Sequence, residues 1–574
     1  MERDLSGFFK ELIFEIKERG LDKDRANQLK SKLAKKHGVR EIPNDVQILL
    51  NADVVDLKVL KKALLTKPVR SISGVAVIAL MSKPAPCPHG ACAMCPSMTS
   101  KGVPQSYTGQ EPSTRRGIRN NFDAYLMTMS RLEQYAACGH PFDKVEVIVQ
   151  GGTFTAMDPV YQDGFIRDSF CALNDFSSLF LDLDGGLKVE EFKTFFELPG
   201  SAQDEKRFAS VQAKLEKLKQ ERAETSLVAE QETNDLSSHI KCVGLTIETR
   251  PDWAGKEQAD RMLSQGCTRV ELGVQSVYDS ALLRIKRGHD TLATKSSVRL
   301  LRDLGFKLNF HYMPGLPGVG FEEDLAGLKE LFSNPDYRPD MLKLYPCMVV
   351  KDSELYLDFK AGRFKPMETE EAAKLISMFK PSVPQYCRIM RVQRDIPTEN
   401  TEGGVDRTNL RQIIFAKMKE AWTTCHCIRC RETGRNEDKS PPSLKVIEYE
   451  ASGGREFFIS SENENALFGF VRMRIPSRTD LRPEIGPGSA IIRELHVFGK
   501  AVRIGQSSDE TSGQHHGIGR ELMAKAEELA RDRGCTKMAV ISGIGVRGYY
   551  RKIGYGLIGA YMVKELGGIQ KSEL

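Results

Sequence analysis

The chain has 574 residues, of which 28% are charged and 40% hydrophobic, and a formal net charge of +6. That length and composition imply several globular domains and exclude a disordered chain, a fibre or a small disulfide-stapled scaffold. The mild positive balance does not by itself indicate a nucleic-acid partner.

Residues 1–70 read as helical, with Phe8, Phe9, Leu12, Ile13 and Ile16 at helical spacing. This segment holds 16 Lys and Arg against 11 Asp and Glu, with its bases in two runs: Lys30, Lys32, Lys35, Lys36 and Arg40, then Lys58, Lys61, Lys62, Lys67 and Arg70. Such runs form either a solvated helix face or a surface for an RNA backbone. Charges throughout the first twenty residues leave no signal-peptide core, and the longest apolar run, GVAVIALM at 74–81, falls short of the about 20 residues a spanning helix needs. The expectation is a soluble, cytoplasmic protein with no membrane partner.

From about 71 to 380 short apolar strands alternate with helical stretches: VEVIVQGGTF (145–154), KCVGLTIETRP (241–251), TRVELGVQS (268–276) and FKLNFHYMPGLPG (306–318). This βα alternation predicts a parallel sheet or an α/β barrel, whose working residues gather at the carboxyl ends of strands. Gly151, Gly152, Glu248 and Gln275 occupy such positions. Residues 172–239, with 14 acidic against 8 basic side chains, read as an inserted surface subdomain with a solvated helix or hairpin in its middle. Residues 381–442 read as a linker. Residues 443–574 read as a last α/β unit of strands REFFISS, LFGFVRMRI and AIIRELHVFG, helix ELMAKAEELARDRG and strand KMAVISGIG.

Six of the 13 cysteines fall in two tight clusters, which points to metal in a reducing compartment. Cys87, Cys92 and Cys95 have C-x4-C-x2-C spacing in the loop after the first strand. Three thiolates leave one iron of a [4Fe–4S] cluster open to a small chelator, since such a cluster wants four ligands. Zinc is the rival, with His89 as a fourth ligand. Cys425, Cys427 and Cys430 supply three thiolates that suit one tetrahedral zinc joining two domains, or three reduced thiols with no metal.

The first loop, with the Gly-Gly strand end and the barrel behind it, resembles the radical S-adenosylmethionine (SAM) enzymes. The resemblance implies that SAM chelates the open iron and is cleaved to a 5′-deoxyadenosyl radical, with Gly151, Gly152, Glu248 and Gln275 as SAM contacts. In the last unit, Gln514-His-His-Gly517-Ile518-Gly519-Arg520 stands between a strand and a helix. Glycines there let backbone N–H groups face an anion. The stretch resembles the pyrophosphate loop of the GNAT acetyltransferases. That implies acetyl-CoA, with Glu494, Leu495, His496 and Val497 along the acyl arm, Gln514, Gly517, Ile518, Gly519 and Arg520 at the pyrophosphate, and Tyr549 and Tyr550 downstream, Tyr550 near the thioester sulfur.

Together with SYTGQEPS (106–113), IETRPD (247–252), GVQS (273–276) and RVQRDIP (391–397), the pair resembles the family of Elongator catalytic subunits, in an archaeal or bacterial-like form. The resemblance implies a radical-SAM (βα) partial barrel fused to a GNAT α/β domain behind a basic helical segment. The implied divisions are 1–70, 71–380, 381–442 and 443–574. The implied activity is C5-carboxymethylation of a tRNA wobble uridine, with Lys144 and Tyr550 as catalytic residues and Lys144 also at acetyl-CoA. The implied RNA partner is an anticodon loop, gripped by Lys32, Lys35, Lys36, Lys61, Lys62, Arg388, Arg391 and Arg394. The short first cysteine spacing resembles members that work without further Elongator subunits. Two rival readings are a protein lysine acetyltransferase with a structural iron–sulfur domain, and a non-catalytic RNA-binding scaffold.

Overall fold

A computed structural model describes residues 5–39, 42–52, 74–200, 204–394, 400–433, 440–498 and 517–567, with Asp56, Leu60, Ala63, Leu64 and Ile396. Lys61, Lys62 and Gln514 lie outside the described residues. The chain forms two compact units. The first comprises Met1–Ile78, Tyr125–Val145 and Arg167–Lys241, and the second Ala79–Ala124, Glu146–Ile166 and Cys242–Leu574. This partition cuts across the linear divisions expected from the sequence.

In the first unit, helix α1 (Ser6–Arg19) buries the five apolar residues whose spacing predicts it, and closes on Gly20 at φ 56°. Helix α2 (Lys23–Lys36) starts on Asp22, whose carboxylate accepts the Arg25 N–H. The basic run on α2 divides. Lys30 is buried in an ion pair with Asp45 at 2.5 Å, and Lys36 pairs with Glu11, whereas Lys32 and Lys35 are exposed.

The 172–239 segment, expected as an inserted surface subdomain, belongs to the first unit. Position 172 falls inside the 22-residue helix α3 (Pro159–Phe180), which continues to α4 (Val189–Phe196). Phe176, Phe180, Phe192 and Phe196 are buried and pack ring on ring, with centroids 4.9 Å apart for Phe176 and Phe180. Lys193 donates to the Ala52 carbonyl at 3.1 Å, so the segment shares the unit of the amino-terminal helices. Net charge concealed this, because the phenylalanines turn inward while most of the acids are exposed. Beyond them, α5 (Glu205–Glu221) buries only Val211 and Leu215, and α6 (Leu227–Leu236) follows as the other arm of a helical pair.

One seven-stranded sheet runs β1 (Ala76–Met81), β2 (Lys144–Gln150), β3 (Lys241–Thr249), β4 (Cys267–Gln275), β5 (Lys307–Tyr312), β6 (Met341–Leu344) and β7 (Arg388–Arg391), in sequence order. The pairs from β3 to β7 are parallel, and β1 and β7 stay edges, so the sheet is a partial barrel. The RIMR of the expected linker is its last strand. Strands β4 and β6 are buried almost end to end, as parallel strands covered on both faces are.

The second sheet contains β8 (Ser443–Ala451), β9 (Gly454–Glu462), β10 (Leu467–Ile475), β11 (Ser489–Val497), β12 (Lys537–Val540), β13 (Gly556–Ile558) and β14 (Tyr561–Glu565), ordered β8-β9-β10-β11-β12-β14-β13. Only β11 and β12 pair in parallel, and their ladder ends at Ile492 and Val540. Helix α7 (Ile518–Asp532) covers this sheet with Leu522, Met523, Ala526 and Ala530.

The two sheets of the second unit meet through buried charges. Arg493 forks onto Asp340 at 2.6 and 2.8 Å and reaches Glu456 at 3.0 Å. Arg474 grips Asp303 at 2.6 Å, and Arg472 donates to the Tyr386 carbonyl at 2.7 Å. Burial opposes ionisation of Asp340, but Arg493, Arg472 and Arg302 hold its carboxyl far below the usual range. Asp303 and Asp340 precede β5 and β6, so the second sheet lies against the amino ends of these barrel strands. Removing one partner from such a set strands the others as buried charges, at a cost of about 3–5 kcal/mol.

Candidate active site

The loop after β1 delivers Cys87, Cys92 and Cys95 to one cavity at the carboxyl ends of the barrel strands. Cys87 Sγ lies 3.4 Å from Thr153 Oγ1. Cys92 Sγ accepts from Arg287 at 3.5 Å and lies 3.2 Å from His89 Nε2. Cys95 Sγ accepts the Ser106 N–H at 3.2 Å and the Gln105 side-chain amide at 3.3 Å. Burial pushes the Cys87 and Cys95 thiols up, and these donors pull back toward the thiolate.

The expected residues Gly152, Glu248 and Gln275 line the same cavity. A side-chain carbon on Gly151 would come within 2.5 Å of Ser82 Oγ, and one on Gly152 within 3.8 Å of Cys87 Sγ. Both glycines have positive φ, so the strand end fits glycine alone. Gln275 also has positive φ, 68°, and its Oε1 is buried with no hydrogen-bond partner among the described residues. Gln150 Oε1 is left the same way, its amide nitrogen being spent on Glu248 at 3.2 Å. Backbone strain and orphaned acceptors together mark a place for a ligand.

Opposite the thiols stands a charged cluster that strand patterning did not reveal. Glu271 on β4 is fully buried and accepts from His311 Nε2 at 2.8 Å and Asn309 Nδ2 at 3.0 Å. Lys343 on β6 bonds the same carboxylate and lies 3.6 Å from Glu248. Burial works against the Glu271 carboxylate, yet Lys343, His311 and Arg269 hold its pKa well below the usual range. Their only sequence signal is a charged or imidazole side chain inside an apolar strand: VELGV, FHY and LKL.

Of the expected RNA contacts, Arg391 and Arg394 line the cavity, and Arg394 donates to the Ser106 carbonyl at 2.7 Å. Arg388 instead pairs with Glu432 at 2.7 Å, away from the cavity lining. Lys144 opens β2, at the opposite end of that strand from Gly151, and is not a cavity residue. Burial lowers its pKa.

In the second sheet, Glu494–Val497 lie beyond the point where the β11–β12 ladder ends, and pair on their other side with β10. Gly517, at φ 81°, caps α7, followed by Ile518, Gly519 and Arg520 in the first turn. A helix start of this kind presents backbone N–H groups without intrahelical partners. Tyr550 is packed in the hydrophobic core, T-shaped against Tyr549 and Tyr555. Tyr549 is the tyrosine at the loop: its buried hydroxyl, without a hydrogen-bond partner among the described residues, lies 3.1 Å from where a Gly519 side chain would begin. His496 is buried against Phe470 and Phe498, and burial lowers its pKa to about 4.

Cys425, Cys427 and Cys430 converge, with all three sulfurs within 4.8 Å of one another. Lys380 donates to Cys425 Sγ at 3.3 Å.

The chain matches the ELP3 N-terminal domain over residues 6–72, the Radical SAM superfamily over 85–328, the Radical SAM C-terminal domain over 339–420 and the acetyltransferase (GNAT) family over 420–555. It is 42% identical over 571 residues to a tRNA uridine(34) acetyltransferase of Methanocaldococcus infernus, covering 97% of this chain and 98% of that one. It is 40% identical over 570 residues to the Elongator complex protein 3 of Homo sapiens, covering 96% and 95%. The chain belongs to the Elongator protein 3 family. A solved structure of archaeal M. infernus Elp3 lacking its amino terminus superposes with a TM-score of 0.69 at 38% identity, over 86% of this chain and 99% of that one. For an Elongator protein 3 relative, these matches fit the tRNA reading and not that of a protein lysine acetyltransferase.

The radical-SAM match implies a [4Fe–4S] cluster and SAM, and the GNAT match implies acetyl-CoA. The first cysteine set fits a cluster. Its sulfurs share a cavity but do not gather within 4.8 Å of one another as the second set does. A single zinc with Zn–S of about 2.3 Å would draw its thiolates to about 3.8 Å apart. A cluster spreads them over separate irons. The orphaned Gln150 and Gln275 oxygens beside the thiols suit the polar end of SAM. Among the described residues, no helix is long and apolar enough to cross a membrane.

Proposed function

We propose that this chain carboxymethylates C5 of the wobble uridine of tRNA, using SAM and acetyl-CoA. The observation that carries the reading is the cavity where three spaced thiols, two orphaned amide oxygens and a polar wall face each other in a chain that also holds the acetyl-CoA fold. Bound there, the cluster and SAM supply the 5′-deoxyadenosyl radical. Cys87, Cys92 and Cys95 hold the cluster. Gly151 and Gly152 leave room beside it, and Gln275 and Glu248 orient the amino-acid and ribose parts of SAM. In the GNAT half, the α7 amino terminus at Gly517–Arg520 holds the pyrophosphate, and the β11 edge at Glu494–Val497 guides the pantetheine arm. Tyr549, with its hydroxyl at the loop, takes the place expected for Tyr550. Arg391 and Arg394 hold RNA phosphates at the cavity, and Lys32 and Lys35 add phosphate contacts on α2. A wobble base lies in a single-stranded loop and enters a pocket without breaking a duplex.

The test is anaerobic reconstitution with SAM, reductant, tRNA and methyl-deuterated acetyl-CoA. Deuterium is expected in 5′-deoxyadenosine, and carboxymethyluridine in the digested tRNA. Formation of 5′-deoxyadenosine with no carboxymethyl group on uridine sinks the reading.

We further propose a structural zinc at Cys425, Cys427 and Cys430, supported by their single-ion spacing and by the preference of closed thiolate sites for structural roles. Purified chain is expected to hold one equivalent of zinc by elemental analysis, lost in Cys427→Ser. Zinc-free, fully folded protein removes the assignment.

A further inference from the structure

Of the charged cluster opposite the thiols, Glu248 alone has a part in the assignments above, whereas Glu271, His311 and Lys343 have none. Glu248, Glu271 and His311 bring ligand atoms within 4.8 Å of one another, which by itself could suit a cation. The place is already taken, because the Lys343 ammonium lies against both carboxylates. The cluster therefore presents fixed hydrogen-bonding groups. His311 commits Nε2 to Glu271, a carboxylate that only accepts, so Nε2 carries the proton. Burial, with Lys343 adding to it, lowers the His311 pKa and keeps the ring neutral at pH 7. Nδ1 is then a bare acceptor, and it makes no hydrogen bond among the described residues. Lys343 bonds Glu271 and faces Glu248 behind the cavity lining, so it anchors the carboxylates and does not itself face the cavity. Tyr345, whose ring stands 5.4 Å from the His311 ring at 74°, adds an aromatic wall.

We propose that His311 reads the Watson–Crick edge of the target base as a uracil, its Nδ1 accepting from N3–H at the cavity wall. The inference rests on the uridine chemistry proposed above and adds the residue that selects the base. A bare imidazole acceptor matches the N3–H of uracil. Cytosine sets its N3 lone pair against Nδ1. Guanine repeats the uracil pattern but carries a second ring. Glu271 is the positioning residue, since it fixes the imidazole tautomer and anchors the lysine.

The test uses full-length protein without SAM or acetyl-CoA and measures its affinity for anticodon stem–loop RNAs that differ only at position 34. Wild-type protein is expected to bind uridine about tenfold more tightly than cytidine, equivalent to about 1.4 kcal/mol. N3-methyluridine, which has lost the N–H, should bind as weakly as cytidine. His311→Phe is expected to bring the three RNAs to equal affinity, and His311→Asn serves as a second variant should the first fail to fold. Equal binding of uridine and N3-methyluridine by wild-type protein overturns the inference without recourse to a variant, as does an unchanged preference in a folded variant. Failure to bind any of these RNAs overturns the function proposed above. Uridine-selective binding with no carboxymethylation in the reconstitution leaves base reading standing and removes only the chemistry.

Discussion

Cys92→Ser is expected to abolish formation of 5′-deoxyadenosine from SAM. Cys92 stands between Arg287 and His89 in the cavity lining. A serine hydroxyl stays protonated near neutral pH and ligates iron poorly, leaving one iron of the cluster unheld. Iron content should fall with the activity, and acetyl-CoA affinity should stay at the wild-type value because the GNAT loop is built from other strands. Persistent SAM cleavage in iron-replete Cys92→Ser protein removes the cluster assignment.

Gly519→Glu should weaken acetyl-CoA binding by about 100-fold, or about 2.7 kcal/mol. Two effects add. The new side chain meets Tyr549 Oη 3.1 Å from its first carbon, and its carboxylate faces the pyrophosphate at a helix start that otherwise favours anions. Calorimetric titration with acetyl-CoA reads the loss. Gly519→Ala separates the two, since it brings the contact without the charge and should cost much less than the glutamate. Equal affinity of wild-type and Gly519→Glu protein discards the phosphate-loop assignment.

The sequence disclosed what is local. Cysteine spacing, the Gly151–Gly152 strand end and the glycine turn before α7 each lie within a few residues, and each stands where such chemistry belongs. Glu271, His311 and Lys343 come from three strands and meet only once those strands lie in register, Glu271 beside Asn309 and His311 beside Lys343. No spacing rule joins positions 271, 311 and 343. Tyr549 and Tyr550 illustrate a different limit. They are neighbours on a five-residue helix, so a turn of about 100° per residue sends one ring to the core and the other to the loop. Their order along the chain does not say which. In 172–239 the net charge concealed an aromatic core, because composition counts side chains without regard to the face they occupy.

The buried arginine–carboxylate joint sets a rule for traffic between the two active halves. Asp340 and Asp303 at the barrel floor and Arg493, Arg474 and Glu456 in the second sheet are all almost completely shielded from solvent. Prising the sheets apart would bare several charged groups at once, so a hinge at this seam is closed to the enzyme. On the function proposed above, acetyl-CoA held at the start of α7 would then reach toward the barrel cavity by its own long, flexible arm and not by a parting of the two sheets.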